Sequence, residues 1–236
     1  ERKSSTLPVP LLLFGVFFAA LVAAVLLLPK GNSSGSLRYP SVSANGVDGS
    51  IEKYTRDVAP KQIHSHNDYW RPEPFFTAYK SGAISIEADV WHFPEQFIID
   101  SSIQTILKPR EVYVGHSLHY LKEDLTLQKM YLKPIYLLLA EANQKEIFAN
   151  GTEAHLPGEA DIKGVFFNDA FQQLNLWFDI KTYAEDTYEQ IKPLLQPFID
   201  RDWLTYYDTE KKELVERPLV ITLTGNLPTE MVKKEK

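Results

Sequence analysis

From Pro60 onward, short runs rich in β-branched and aromatic residues alternate with longer stretches of helical period. Ile84-Ser85-Ile86-Glu87-Ala88-Asp89-Val90 alternates strictly. In a strand, Ile84, Ile86, Ala88 and Val90 share one face, and Ser85, Glu87 and Asp89 share the other. Lys61 to His66, Glu111 to His116, Leu174 to Lys181 and Pro218 to Thr224 read as four further strands. Phe75 to Ser81 predicts a short helix that Gly82 stops. Leu127 to Gln144 and Tyr183 to Ile199 predict two longer helices. Alternating strands and helices predict a parallel sheet covered by helices.

The N-terminal part follows another pattern. Leu11 to Leu28 holds no charged or strongly polar residue, and the apolar stretch extends back to Leu7. Such a run spans about 33 Å as a helix, enough for a bilayer core. Residues 7–29 are therefore expected to form one transmembrane helix after a short tail, 1–6. A secretory signal peptide is the alternative, but the run exceeds the usual 7–15-residue apolar region and no Ala-x-Ala site follows. Basic residues flank the run on both sides, so charge does not orient it. Residues 30–58, with Gly31-Asn32-Ser33-Ser34-Gly35-Ser36, read as a flexible linker. The sequons at Asn32 and Asn150 tilt the expectation for residues 59–236 towards a lumenal or extracellular domain.

Composition changes this picture in three ways. The net charge of −6 disfavours a nucleic-acid partner. The absence of cysteine removes disulfides, thiol nucleophiles and Cys-ligated zinc together. A start at Glu1 with only two methionines is expected of a chain lacking its natural beginning.

Acid and imidazole groups collect near the C-terminal ends of the strands: His64 and His66, Glu87 and Asp89, His116, and Asp179 with Lys181. This is where (β/α)₈ barrels place their sites. A doubly wound nucleotide binder needs a Gly-rich turn after its first strand, and His66-Asn67-Asp68-Tyr69 stands there instead. The fold expected is thus α/β, a (β/α)₈ TIM barrel. Five strands and an end soon after Gly225-Asn226-Leu227-Pro228 predict a barrel incomplete at its C-terminus. Two carboxylates on one strand face repel unless a cation or proton lies between them. Glu87 and Asp89 therefore read as ligands of a hard divalent cation, against the plainer reading of acids on a solvated edge. Asp179 and Lys181 share a face between large apolar residues. A metal with an anionic substrate accounts for them, and so does a simple ion pair. Two strands ending in histidine beside such acids supply an acid and a base.

The segments His64-Ser65-His66-Asn67-Asp68-Tyr69, Pro74-Phe75, Gly82, Ser85 to Val90, Val114-Gly115-His116 and Phe178 to Thr182 occur in an order that resembles the phospholipase-C-like phosphodiesterases. That superfamily includes glycerophosphodiester phosphodiesterases and sphingomyelinase D. Within it the chain is similar to the fungal altered inheritance of mitochondria protein 6 group, which also carries an N-terminal hydrophobic segment. The resemblance covers roughly residues 60–228. It implies Glu87, Asp89 and Asp179 as ligands of Mg²⁺, with Ca²⁺ as the alternative, and His116 as the second catalytic histidine. The first is His64, by its His-x-x-Asn spacing to Asn67, or His66, next to Asn67; the spacing favours His64. Asn67 and Lys181 become substrate contacts.

The function expected is a membrane-anchored, metal-dependent phosphodiesterase acting on a glycerophosphodiester or lysophospholipid. Two other classes stay open: an amidohydrolase-type zinc enzyme, which His64-x-His66 resembles, and a non-catalytic anchored barrel that binds lipid or protein.

Overall fold

The computed structural model describes residues 50–99, 104–144 and 162–234. The chain divides into two units, Glu1–Arg38 and Tyr39–Lys236, and every described residue belongs to the second. Helix α1 (Ser50–Thr55) comes first, in the stretch read as linker, and anchors itself through fully buried Ile51. Strand β1 (Lys61–Ser65), helix α2 (Phe76–Lys80) and strand β2 (Ala83–His92) follow. Next come the short strands β3 (Phe97–Ile99), β4 (Thr105–Leu107) and β5 (Val112–Val114). One π-helical stretch, Gln128–Leu132, leads into helix α3 (Lys133–Gln144). Strand β6 (Leu174–Ile180) and helix α4 (Ala184–Ile199) precede the hairpin β7 (Tyr206–Asp208) and β8 (Glu213–Val215). Strand β9 (Leu219–Gly225) and helix α5 (Thr229–Val232) complete the described elements.

The main sheet has the order β1-β2-β6-β9, all parallel, with β5 paired to β2. Strict alternation gives it two unlike faces. Ile86, Ala88 and Val90 on β2 and Leu174, Leu176, Phe178 and Ile180 on β6 are at most 1% exposed. They form one core with Ile51 of α1, Tyr79 of α2, Leu138 and Leu139 of α3, and Ile191 and Phe198 of α4. Burying each of the valine, leucine, isoleucine and phenylalanine side chains contributes about 1.5–3 kcal/mol. The other face carries Ser85, Glu87 and Asp89 on β2 and Asn175, Trp177 and Asp179 on β6.

Two expectations are corrected. The TIM barrel does not appear among the described residues. They form an open five-stranded sheet whose parallel order ends at β1 and β9, with no pairing between these two. One expected strand also departs from the parallel order. The segment Glu111 to His116, expected as the third parallel strand, pairs antiparallel with the end of β2 (Val90 to Val114, His92 to Val112). Val90 also pairs with Ile180 of β6, so β5 and β6 lie on opposite edges of β2. The single-pass membrane placement, and with it a lumenal or extracellular domain, is also withdrawn. Among the described residues no helix is long and apolar enough to cross a membrane. The expected span at residues 7–29, and the sequons at Asn32 and Asn150, lie outside the described residues.

Candidate active site at the ends of the parallel strands

Register brings the acids together. Asp89 on β2 lies directly opposite Asp179 on β6, and Glu87 stands two residues earlier on the same face of β2. One carboxylate oxygen from each of Glu87, Asp89 and Asp179 lies within 4.8 Å of the other two. Glu87 and Asp89 are buried, at 6% and 1% exposure. This is a hard, all-oxygen donor set of the kind Mg²⁺ and Ca²⁺ take. Gly225 at the end of β9, with φ +71°, makes room for it. A Cβ there would collide with Asp179 Oδ1 and the Ile180 carbonyl.

The turn after β1 covers the acids. Asn67 adopts the left-handed conformation (φ 50°, ψ 44°), which asparagine tolerates better than most residues. Its backbone N–H donates to Glu87 Oε2 at 2.8 Å. The Tyr69 hydroxyl lies 2.8 Å from Asp89 Oδ2, 2.6 Å from Asn67 Oδ1 and 3.2 Å from His116 Nδ1. Burial, then the hydrogen bond to Asp89 and the surrounding negative charge, push the Tyr69 phenol well above its ordinary range. It stays protonated and serves as a donor.

Fully buried Asp68 holds this turn. It accepts from Ser65 Oγ at 2.7 Å and from the Phe75 N–H at 2.5 Å. Burial raises its carboxyl, and these two bonds, a bond from Tyr131 and the charge of Arg71 offset part of the rise. Phe75 itself sits at φ 65°, ψ −59°, with the Phe76 N–H donating to the Pro74 carbonyl at 2.8 Å. This is a rare, strained γ-turn.

The histidines divide into two groups. His116 follows β5, placed by the Gly115 N–H donating to the Asp89 carbonyl at 3.1 Å. Its Nδ1 faces two oxygens, Tyr69 Oη at 3.2 Å and Asp89 Oδ2 at 3.4 Å. A ring nitrogen so placed carries the proton, which leaves Nε2 as the acceptor of the neutral ring. Trp70, exposed, tilts over this ring at 4.9 Å. His64 pairs through Nδ1 with Ser85 Oγ at 2.7 Å, and its ring lies 5.2 Å from that of Trp177. His66, 70% exposed at its side chain, reaches Glu87 Oε2 through Nδ1 at 3.1 Å. Ligand atoms of His64, His66 and Glu87 also lie within 4.8 Å of one another. His92 is buried, its Nδ1 3.1 Å from the Glu111 carbonyl, and belongs to the packing. His119 is exposed, and His155 lies outside the described residues.

Lys181 bridges Asp179 Oδ2 at 2.7 Å and Asp89 Oδ2 at 3.2 Å. Burial pulls its ammonium down, but its bonds to Asp179 and Asp89 and their charges outweigh that and hold it above the ordinary lysine value. The polar residues singled out in sequence thus converge, with Asn67 engaged by Glu87 and Tyr69. Asp68, Tyr69, Ser85 and Gly225 stand within the sequence motifs, but nothing in the spacing reveals what they do. Their roles depend on register and on a turn conformation that spacing does not encode.

The chain matches the AIM6-like phosphodiesterase domain over residues 52–110 and 102–236. It is 37% identical over 191 residues to altered inheritance of mitochondria protein 6 of Saccharomyces cerevisiae, covering 78% of this chain and 42% of that protein. The corresponding protein of Eremothecium gossypii is 35% identical over 182 residues, covering 76% of this chain and 41% of that one. The homolog from Arthroderma benhamiae is 34% identical over 184 residues, covering 75% and 51%. The chain thus spans about half or less of the length of these curated relatives. No solved structure matches.

Proposed function

Since the chain belongs to the AIM6-like phosphodiesterase domain family, we propose that it is a metal-dependent phosphoric diester hydrolase acting on a glycerophosphodiester or lysophospholipid. The observation that carries this reading is the convergence of Glu87, Asp89 and Asp179 within 4.8 Å, beside His116. These three carboxylates would hold Mg²⁺, or Ca²⁺ with longer bonds. Bound there, the cation would neutralise charge developing on the phosphoryl oxygens.

The remaining work falls to the chain's own groups. His116 Nε2 takes the proton of the nucleophile, either water or a hydroxyl of the substrate. His64 returns a proton to the departing alkoxide, with His66 as the alternative donor. The Lys181 ammonium, held beside the acids, attracts the phosphate anion into the site. Asn67 and Tyr69 keep Glu87, Asp89 and His116 in place.

A screen of glycerophosphocholine, lysophosphatidylcholine and bis-p-nitrophenyl phosphate with the full chain tests the proposal. The expected result is turnover with Mg²⁺ that EDTA, Asp89→Asn and His116→Ala each abolish. Phosphorus NMR of the product separates water attack from cyclic phosphate formation. Absence of turnover with Mg²⁺, Ca²⁺ and Mn²⁺ sinks the proposal, as does turnover indifferent to EDTA.

A second reading rests on the His64, His66 and Glu87 cluster, whose mixed nitrogen and oxygen donors suit zinc. One equivalent of zinc in the purified chain, lost in His66→Asn, would favour that reading.

A further inference from the structure

We propose that Ser85 is a positioning residue that fixes His64 in the Nε2–H tautomer, so that His64 faces the reaction as a proton donor while His116 faces it as an acceptor. Ser85 stands on the polar face of β2, opposite His64 on β1 in the strand register. Its Oγ lies 2.7 Å from His64 Nδ1. Among the described residues, His64 is the hydrogen-bond partner of the Ser85 hydroxyl. If Nδ1 carried the proton it would donate to the Ser85 oxygen, and the hydroxyl proton would turn to solvent at this exposed pair. With Ser85 donating, its proton and the Nδ1 lone pair satisfy each other. The neutral ring then bears its hydrogen on Nε2.

The contrast with His116 gives this its consequence. There Nδ1 meets the Asp89 carboxylate and the Tyr69 phenol, so Nδ1 carries the proton and Nε2 is bare. In their neutral forms the two histidines are thus held in opposite tautomers by different neighbours. One can accept a proton while the other donates one, with no prior exchange with solvent. The Trp177 ring lies 5.2 Å from that of His64, inclined to it by 64°. Among the described residues His66 instead engages the Glu87 carboxylate, which separates its role from that of His64.

The catalytic consequence rests on the phosphodiesterase reading, but the tautomer does not. The test labels the full chain with ¹⁵N-histidine and records two-bond ¹H–¹⁵N correlations at alkaline pH, assigning His64 from its loss in His64→Gln. The expected wild-type pattern is that of the Nε2–H form. Ser85→Ala is expected to turn it into a mixture, and Ser85→Thr, which keeps the hydroxyl, to restore it. In parallel, Ser85→Ala should lower kcat on a hydrolysed diester about tenfold, with KM changed less than twofold, and Ser85→Thr should recover most of the loss. An Nδ1–H pattern in the wild type, or an unchanged pattern in Ser85→Ala, overturns the proposal. An Nε2–H pattern that responds to Ser85, in a chain that hydrolyses no diester, sustains the role of Ser85 and overturns the phosphodiesterase reading alone.

Discussion

Tyr69 and Asp89 meet through a 2.8 Å hydrogen bond between a phenol and a carboxylate that is 1% exposed. That bond ties the turn after β1 to the middle of the acid cluster. Tyr69 also lies 3.2 Å from His116, so one hydroxyl orients both a candidate ligand and the candidate base. Tyr69→Phe removes it without leaving Asp89 alone, because Lys181 still pairs with the same oxygen. The expected stability cost is therefore about 1 kcal/mol, below the range for a lost bond to an unsupported charge. The effect on kcat should be larger, on the order of tenfold, since His116 loses the nearer of the two oxygens that face its Nδ1. Kinetics and urea melts on the same preparation separate the two, and a kcat within twofold of wild type would rule out the orienting role.

Gly225 is expected to tolerate no side chain. At φ +71° an L-residue is strained, and its Cβ would fall on Asp179 Oδ1. Gly225→Ala must move the carboxylate, the strand end or both. The expected outcome is a loss of about 2 kcal/mol or more in a urea melt, with weaker Mg²⁺ binding in titration calorimetry. Wild-type stability in Gly225→Ala would mean that the end of β9 is free to relax away from Asp179.

The boundaries of the long elements were legible because their periodicity is strong. Leu174 to Ile180 alternates buried and half-buried residues along its whole length, and Asp179 followed from that alternation. Direction and pairing were not legible. A short apolar run such as Val112 to Val114 does not reveal which neighbour it joins or which way it runs. It pairs antiparallel with the end of β2, so it is not one of the parallel strands of the sheet. Strands of three residues, Phe97–Ile99 and Tyr206–Asp208, are too short to show a period. Helix α1 hides in a polar stretch because Ile51 is its one fully buried apolar anchor. Ser85 was read only as the polar partner in an alternating strand. Its bond to His64 depends on the register of β1 against β2, which no local pattern carries.

Asp68 is expected to give the fold a pH dependence of defined sign. Burial raises its carboxyl above 3.8. A group raised on folding stabilises fully below its unfolded value, and the contribution is lost as pH rises through the raised folded value. Asp68→Asn lacks this loss. Its stability relative to wild type should therefore climb as pH rises from about 4 and then level off. Asp68→Ala removes the acceptor of the Phe75 N–H and should cost about 1–3 kcal/mol at every pH, since a strained turn loses its tether. Urea melts of the three chains between pH 4 and 7 read both effects. A difference between Asp68→Asn and wild type that is constant across pH would show that Asp68 does not titrate in this window.

Lys181 supplies one positive charge to three carboxylates, two of which it touches. Its ammonium is held above 10.5, so the charge persists and contributes no slope in stability between pH 6 and 9. Lys181→Met raises the negative charge of the cluster by one unit. In EDTA the variant should lose about 1–2 kcal/mol, less than for a fully enclosed pair, because the lysine side chain is 27% exposed. The same change strengthens the attraction of the cluster for a divalent ion. Mg²⁺ should therefore raise the Tm of Lys181→Met more than that of wild type, by mass action on a tighter site. Activity should still fall, because the anionic substrate loses its fixed cation. Melts with EDTA and with Mg²⁺, beside kinetics at saturating Mg²⁺, make the comparison. A smaller Mg²⁺ shift in the variant would mean that Lys181 holds the carboxylates in a ligating arrangement rather than merely balancing their charge.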